Sequence, residues 1–266
     1  MRTRFLAPLI LLALGSTLTV TLSGCGVLNT IGGSNTNYLP PDMARATPIA
    51  QAFQNCPPQG QGGDPAMNTL LNRTDDAPPG GYRQTDIATV MATPTTPQAE
   101  NKPRSAWTAD EAKRIGLYEG AAIRTTGWIV ASRRLGPDPA NCDSATNRDW
   151  ALWVGTSAGD AINTTLVVLI TPQMIAQRPG WTDYTMRRIV GQIVRVSGYL
   201  LYYQEPSPLV GPNRSTTWAI APVMHLEAYY QNQWINLDLL PFGPRVSGTP
   251  QPGTPRIGTP QPGAGS

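Results

Sequence analysis

Histidine, lysine and cysteine are scarce in this chain of 266 residues: one His, two Lys and three Cys stand beside eighteen Arg. Each shortage excludes something. His225 stands alone, and two cysteines with no histidine near them cannot fill the four positions of a structural zinc site, so no metal or other cofactor is expected. The basic and acidic residues number 20 and 17, a formal charge of only +3. A protein that tracks a phosphate backbone needs a basic face, so nucleic acid is not an expected partner. The arginine doublets Arg133-Arg134 and Arg187-Arg188 read as solvated helix or loop positions. No Gly-rich loop opens a helix as a phosphate cradle would, and no serine is read as a strand-to-helix nucleophile elbow.

One long apolar run is present. Arg2 and Arg4 precede the stretch Phe5 to Leu22, and small residues lead to Leu22-Ser23-Gly24-Cys25. This order resembles the signal peptide and lipobox of bacterial lipoproteins. The resemblance implies that Cys25 carries a diacylglycerol on its sulfur and a further acyl chain on its amine, residues 1–24 having been removed. The expected location is the cell membrane or outer membrane, facing away from the cytoplasm. Several chains anchor stably, since each buried methylene contributes about 0.8 kcal/mol. The alternative is an uncleaved span, because the 18 residues from Phe5 to Leu22 could just cross a bilayer. Pro8 and Gly15-Ser16-Thr17 suit a discarded leader better. Losing Arg2 and Arg4 lowers the charge from +3 to +1.

With Cys25 given to lipid, Cys56 and Cys142 form an even pair in a compartment where disulfides persist, and a bond between them is expected. Two free buried thiols are the other reading. Residues 25–49 are rich in Gly, Ser, Asn, Thr and Pro and read as a flexible tether. Residues 241–266 repeat Gly-Thr-Pro-Gln-Pro-Gly, and 13 of these 26 residues are Pro or Gly. That composition cannot bury a core, so a disordered tail is expected.

Between them lies one domain. Its front part, residues 50–120, is Pro-rich and sparsely helical and is expected to pack on the barrel. Asp64-Pro65 starts a helix to about Arg73, and Thr108-Ala109-Asp110-Glu111 is a capping box for a helix ending near Gly116. Residues 121–240 change pattern. Strands are expected over Ala121–Arg133, Asp149–Gly155, Asn163–Thr171, Gln192–Tyr203 and Thr216–Tyr229, with a helix from Thr182 to Val190 between the third and fourth. The fold class is mainly β, and the order resembles the OB-fold, a five-stranded Greek-key barrel with one helix between strands three and four. Gly127 and Gly198, in mid-strand, suit the bends of a small barrel.

A second likeness is to an uncharacterised group of exported bacterial proteins. It rests on Cys56-Pro57-Pro58, Gly62-Gly63-Asp64, Asn72-Arg73, Asp149-Trp150-Ala151-Leu152-Trp153, Pro179-Gly180-Trp181-Thr182, Gly191–Gly198 and Trp218–Val223. In that group a histidine often precedes the prolines at positions 179 and 222; here Arg178 and Ala221 stand there. The likeness implies an architecture and no activity.

Aromatic residues are the main binding signal. By alternation Trp150 and Trp218 belong to the core with Leu152 and Ile220, whereas Trp153, Tyr199 and Tyr203, with Arg195, read as a candidate ligand face. The leading expectation is a lipid-anchored, non-enzymatic envelope protein whose barrel binds a protein or another extracytoplasmic ligand. Oligosaccharide or single-stranded nucleic acid on the aromatic face is the alternative. A hydrolase using His225 and Glu227, two apart on one strand face, is the weakest.

Overall fold

The computed structural model describes residues 39–41, 43, 45–96, 102–204, 213–240 and 242. The lipobox with Cys25, most of the tether and all of the tail except Phe242 lie outside them. No helix among the described residues is long and apolar enough to cross a membrane.

Among the described residues, seven strands and five short α-helices make up the domain. The strands are β1 (Arg83–Gln84), β2 (Ala122–Arg134), β3 (Trp150–Gly155), β4 (Leu166–Ile170), β5 (Ile193–Tyr202), β6 (Trp218–Tyr230) and β7 (Gln233–Asn236). The helices are α1 (Pro65–Leu71), α2 (Ile87–Met91), α3 (Ala109–Gly116), α4 (Pro172–Gln177) and α5 (Asp183–Arg188). The neighbour order β2-β3-β4-β6-β5 closes on itself through pairing of β5 with β2. All contacts in this ring are antiparallel except β4 with β6, which run parallel through Val167↔Ala219 and Val168↔Ile220. The result is a closed five-stranded mixed barrel, as the strand order implied. Two short helices, α4 and α5, fill the place expected of one. At six residues, α4 is too short to show a period, and Pro172 marks its first turn, where a missing N–H costs nothing.

Closing so small a barrel requires sharp bends, and glycine supplies them. A Cβ on Gly127 would lie 2.1 Å from Ile87 Cδ1 and 2.6 Å from the Gly155 carbonyl. At Gly198 it would lie 2.5 Å from the Pro222 carbonyl, where the β5–β6 register shifts. Alternation then sorts each strand. Leu152, Val154, Val168, Ile170, Val196 and Leu226 belong to the main core cluster. Ala151, Val167, Leu169 and Ala219 face the other way, into a second cluster with Met67 and Leu71 of α1. Trp150 and Trp218 lie in the main core, as alternation implied.

The front segment is fastened to the barrel. Asp64 Oδ1 accepts from the Ala66 and Met67 amides and caps α1, while Oδ2 accepts from the Arg104 amide. Thr108 and Glu111 form the expected reciprocal cap on α3. Cys56 and Cys142 are bonded across a separation of 86 residues, joining this segment to the loop after β2. Leu39 and Met43, read as part of a tether, are instead buried in the main core. Two apolar side chains among prolines are too few to show a period.

Candidate functional site

The barrel has two outer faces of opposite character. The first, over β3, β4 and the start of β6, is sealed by the chain itself. Ala140 packs with α1 and Trp153 here, and Asn72 Nδ2 donates to the Pro58 and Ala140 carbonyls. Asn68 Nδ2 donates to the Gln59 and Gly62 carbonyls. Pro58, Gly62 and Asn72 thus help to build the cover. In OB barrels the face around strands two and three is where ligands commonly lie; here it is filled.

This corrects the expected aromatic face. Trp153, Tyr199 and Tyr203 are 3%, 1% and 0% exposed. Trp153 lies under the cover and donates Nε1–H to the Asn213 carbonyl at 2.7 Å. Tyr203 belongs to the same cluster. Tyr199 lies elsewhere, beneath the Arg73 guanidinium at 3.3 Å. Of the four, Arg195 alone reaches the open side. Alternation showed which residues share a register, not that α1 would lie on Trp153 and Tyr203, or Arg73 on Tyr199.

The second face, over β2, β5, β6 and β7, is open. Trp128, Ile193, Tyr229 and Trp234 are successive register partners across these four strands. Tyr229 is 37% exposed and the other three are partly exposed. One step along the strands lies a polar row, Thr126, Arg195, Glu227 and Asn236. Arg195 donates to Glu227 at 3.1 Å, and its guanidinium stacks 4.0 Å over the Trp234 ring, which lies 5.2 Å from Tyr229. The sequence reading ended at Tyr229 and so missed β7. Its signal was Gln231-Asn232: both have positive φ, the requirement of a two-residue hairpin turn, and Asn is favoured in such a turn.

The same face ends at His225. Its Nδ1 lies 2.7 Å from Asp238 Oδ2, and its Nε2 lies 3.6 Å from Asp76 Oδ1. The Tyr82 hydroxyl reaches Asp76 at 3.4 Å, and that of Tyr199 reaches the Asp76 carbonyl at 2.5 Å and Asp75 Oδ2 at 3.0 Å. Arg178 donates to the Met224 carbonyl and lies 3.9 Å from Asp238. Burial pushes the Tyr82 and Tyr199 phenols up. The Ala77 amide holds Asp76 down, and the bond to Asp238 raises the His225 imidazole. Ion pairs and hydrogen bonds therefore hold residues 73–82 against β5 and β6, and the Tyr82 and Tyr199 phenols and the Asp76 carboxyl are moved away from the neutral range that proton transfer favours.

His225 and Glu227 do share a face, but they are bonded apart, His225 to Asp238 and Glu227 to Arg195. Ser197 faces His225 across the strands but is fully buried and accepts from Arg124 Nε at 2.8 Å. The sequence reading also passed over Gly155-Thr156-Ser157-Ala158-Gly159, which has nucleophile-elbow spacing. In the structure a turn, not a helix, follows β3 there, and Ser157 Oγ donates to Asp160 Oδ1 at 2.8 Å. No group of three or more His, Cys, Asp or Glu among the described residues is placed to hold a metal ion.

Against known proteins, no family model, curated protein or solved structure matches the chain.

Proposed function

We propose that this protein is a lipid-anchored, non-enzymatic component of the cell envelope that binds an extracytoplasmic partner through the open face of β2, β5, β6 and β7. Cys25 anchors it, and the barrel presents the face. The observation that carries this reading is the contrast between the two faces. One is packed shut by a disulfide-tied segment of the same chain. The other leaves a row of aromatic rings open beside a pre-formed Arg195–Glu227 pair. Side chains held in place before contact lose less freedom on binding, which favours affinity.

Photo-crosslinking from position 229 in living cells tests the reading. A photoreactive phenylalanine in place of Tyr229 is expected to give an adduct with an envelope component, lost when Trp234→Ala is added. The same probe at Ile162, exposed in the loop between β3 and β4, is expected to give none. Equal adducts at both positions, or none at Tyr229, would overturn it.

A further inference from the structure

We infer that the open face takes a neutral glycan chain, laid across the strands; this rests on the binding reading above and names its ligand class. Spacing favours a glycan. Neighbouring strands lie about 4.8 Å apart, so the row Trp128, Ile193, Tyr229, Trp234 repeats at about the length of one pyranose ring and spans roughly 15 Å. Three or so sugar rings of an extended chain match that span, with aromatic rings at Trp128, Tyr229 and Trp234 and an aliphatic side chain at Ile193 to meet their C–H faces. Tyr and Trp suit such a surface because each combines an apolar ring with a polar tip.

Charge favours an uncharged ligand. Arg195 and Glu227 are bonded to each other, and Arg195 is also stacked on Trp234, so this part of the face offers donors and acceptors without net charge. Thr126 and Asn236, both exposed, extend the polar row at its two ends. An anionic polymer would find no uncompensated arginine in this row, and affinity for such polymers comes from neutralising phosphates. A hydroxyl-rich, uncharged ligand matches what is there.

Size points the same way. A stable protein interface takes roughly 800 Å² from each partner and about 20 to 30 residues a side. The two rows supply eight side chains, several of them half-buried. That suits an oligosaccharide laid along a strip better than a folded partner.

The test uses the full chain and two uncharged probes, the β-1,4-linked tetramers of glucose and of N-acetylglucosamine, with a single-stranded thymidine oligonucleotide as the anionic comparison. Tryptophan fluorescence and calorimetry read the binding. Saturable binding of at least one tetramer is expected, with an affinity unchanged between about 50 and 200 mM salt. It should weaken tenfold or more in Trp234→Ala and in Tyr229→Ala. Tyr184→Ala removes another exposed tyrosine, on α5, and should leave the affinity unaltered. Circular dichroism identifies any variant that fails to fold, and Tyr229, already exposed, provides the second route if Trp234→Ala does. Absence of binding to both tetramers, binding indifferent to both substitutions, or a steep loss with salt overturns the inference. If that occurs while position 229 still crosslinks in cells, the face binds something other than neutral glycan; if the crosslink is also absent, the binding reading falls with it.

Discussion

Removing the Cys56–Cys142 bond isolates how the cover over the first barrel face is held. With both cysteines replaced by alanine, the unfolded chain regains the freedom of a loop that the bond closed over a separation of 86 residues. The chain-entropy relation puts the loss of stability at about 4 to 5 kcal/mol. The folded state should change little, because Asn68 and Asn72 still hold the loop and Met67 and Leu71 still sit over Trp153. The destabilisation should therefore appear as one cooperative transition moved to lower denaturant. Urea slopes for a domain of this size are about 2 to 3 kcal/mol per molar, so the midpoint should fall by about 2 M. Tryptophan fluorescence follows it, since Trp153 is buried under the cover. Two outcomes refute the reasoning. A midpoint shifted by less than about 0.4 M would mean that the bond constrains nothing in the unfolded chain. An early, separate transition would mean that the cover is not part of the barrel's cooperative unit.

Two further predictions concern titration. Burial raises Asp149 to about 8, next to Asp138, and its Oδ2 has no hydrogen-bond partner among the described residues. The unfolded chain ionises near its ordinary 3.8 while the folded chain keeps the proton, so stability falls as pH rises from about 4 to about 8. Asp149→Asn removes this slope, so its advantage over wild type should grow as pH rises through that window, read from urea melts; a constant difference refutes it. For His225 the slope has the same sign, but what pH removes is a favourable pair. Its imidazole is raised by Asp238, so the pair's contribution is full below the ordinary value of 6.5 and is lost as pH rises through the folded value. Asp238→Asn should lower the imidazole titration seen by NMR; an unchanged titration would mean that Asp238 is not its partner.

The strands and the larger helices were legible because their signals are local. The β2, β5 and β6 runs are long and β-branched, and the caps of α1, α3 and α5 stand at Asp64, Thr108 and Thr182 with their hydrogen bonds formed. Mid-strand Gly127 and Gly198 pointed to bends, and neighbouring atoms do crowd both. What could not be read depends on contacts between distant segments. Trp153 points out of the barrel, as its alternation with Leu152 implied, but α1 covers it. Tyr199 has the register of an outer residue, but Arg73 lies on its ring and its hydroxyl reaches Asp75 and Asp76. His225 was read together with Glu227, but its partner Asp238 lies beyond a hairpin that the pattern did not extend to include. The open row was hidden for the same reason, because Trp234 belongs to that unread strand.

Oxidative footprinting by hydroxyl radicals, read residue by residue by mass spectrometry, addresses the contrast between the two faces most directly. On the purified full chain, Tyr229 and Trp234 should label, while Trp153, Tyr199 and Tyr203 should not. In intact cells Tyr229 and Trp234 should become protected, with Tyr184 unchanged. Labelling of Trp153 and Tyr203 in the folded protein, or equal labelling of Tyr229 and Trp234 with and without the envelope, would contradict the account.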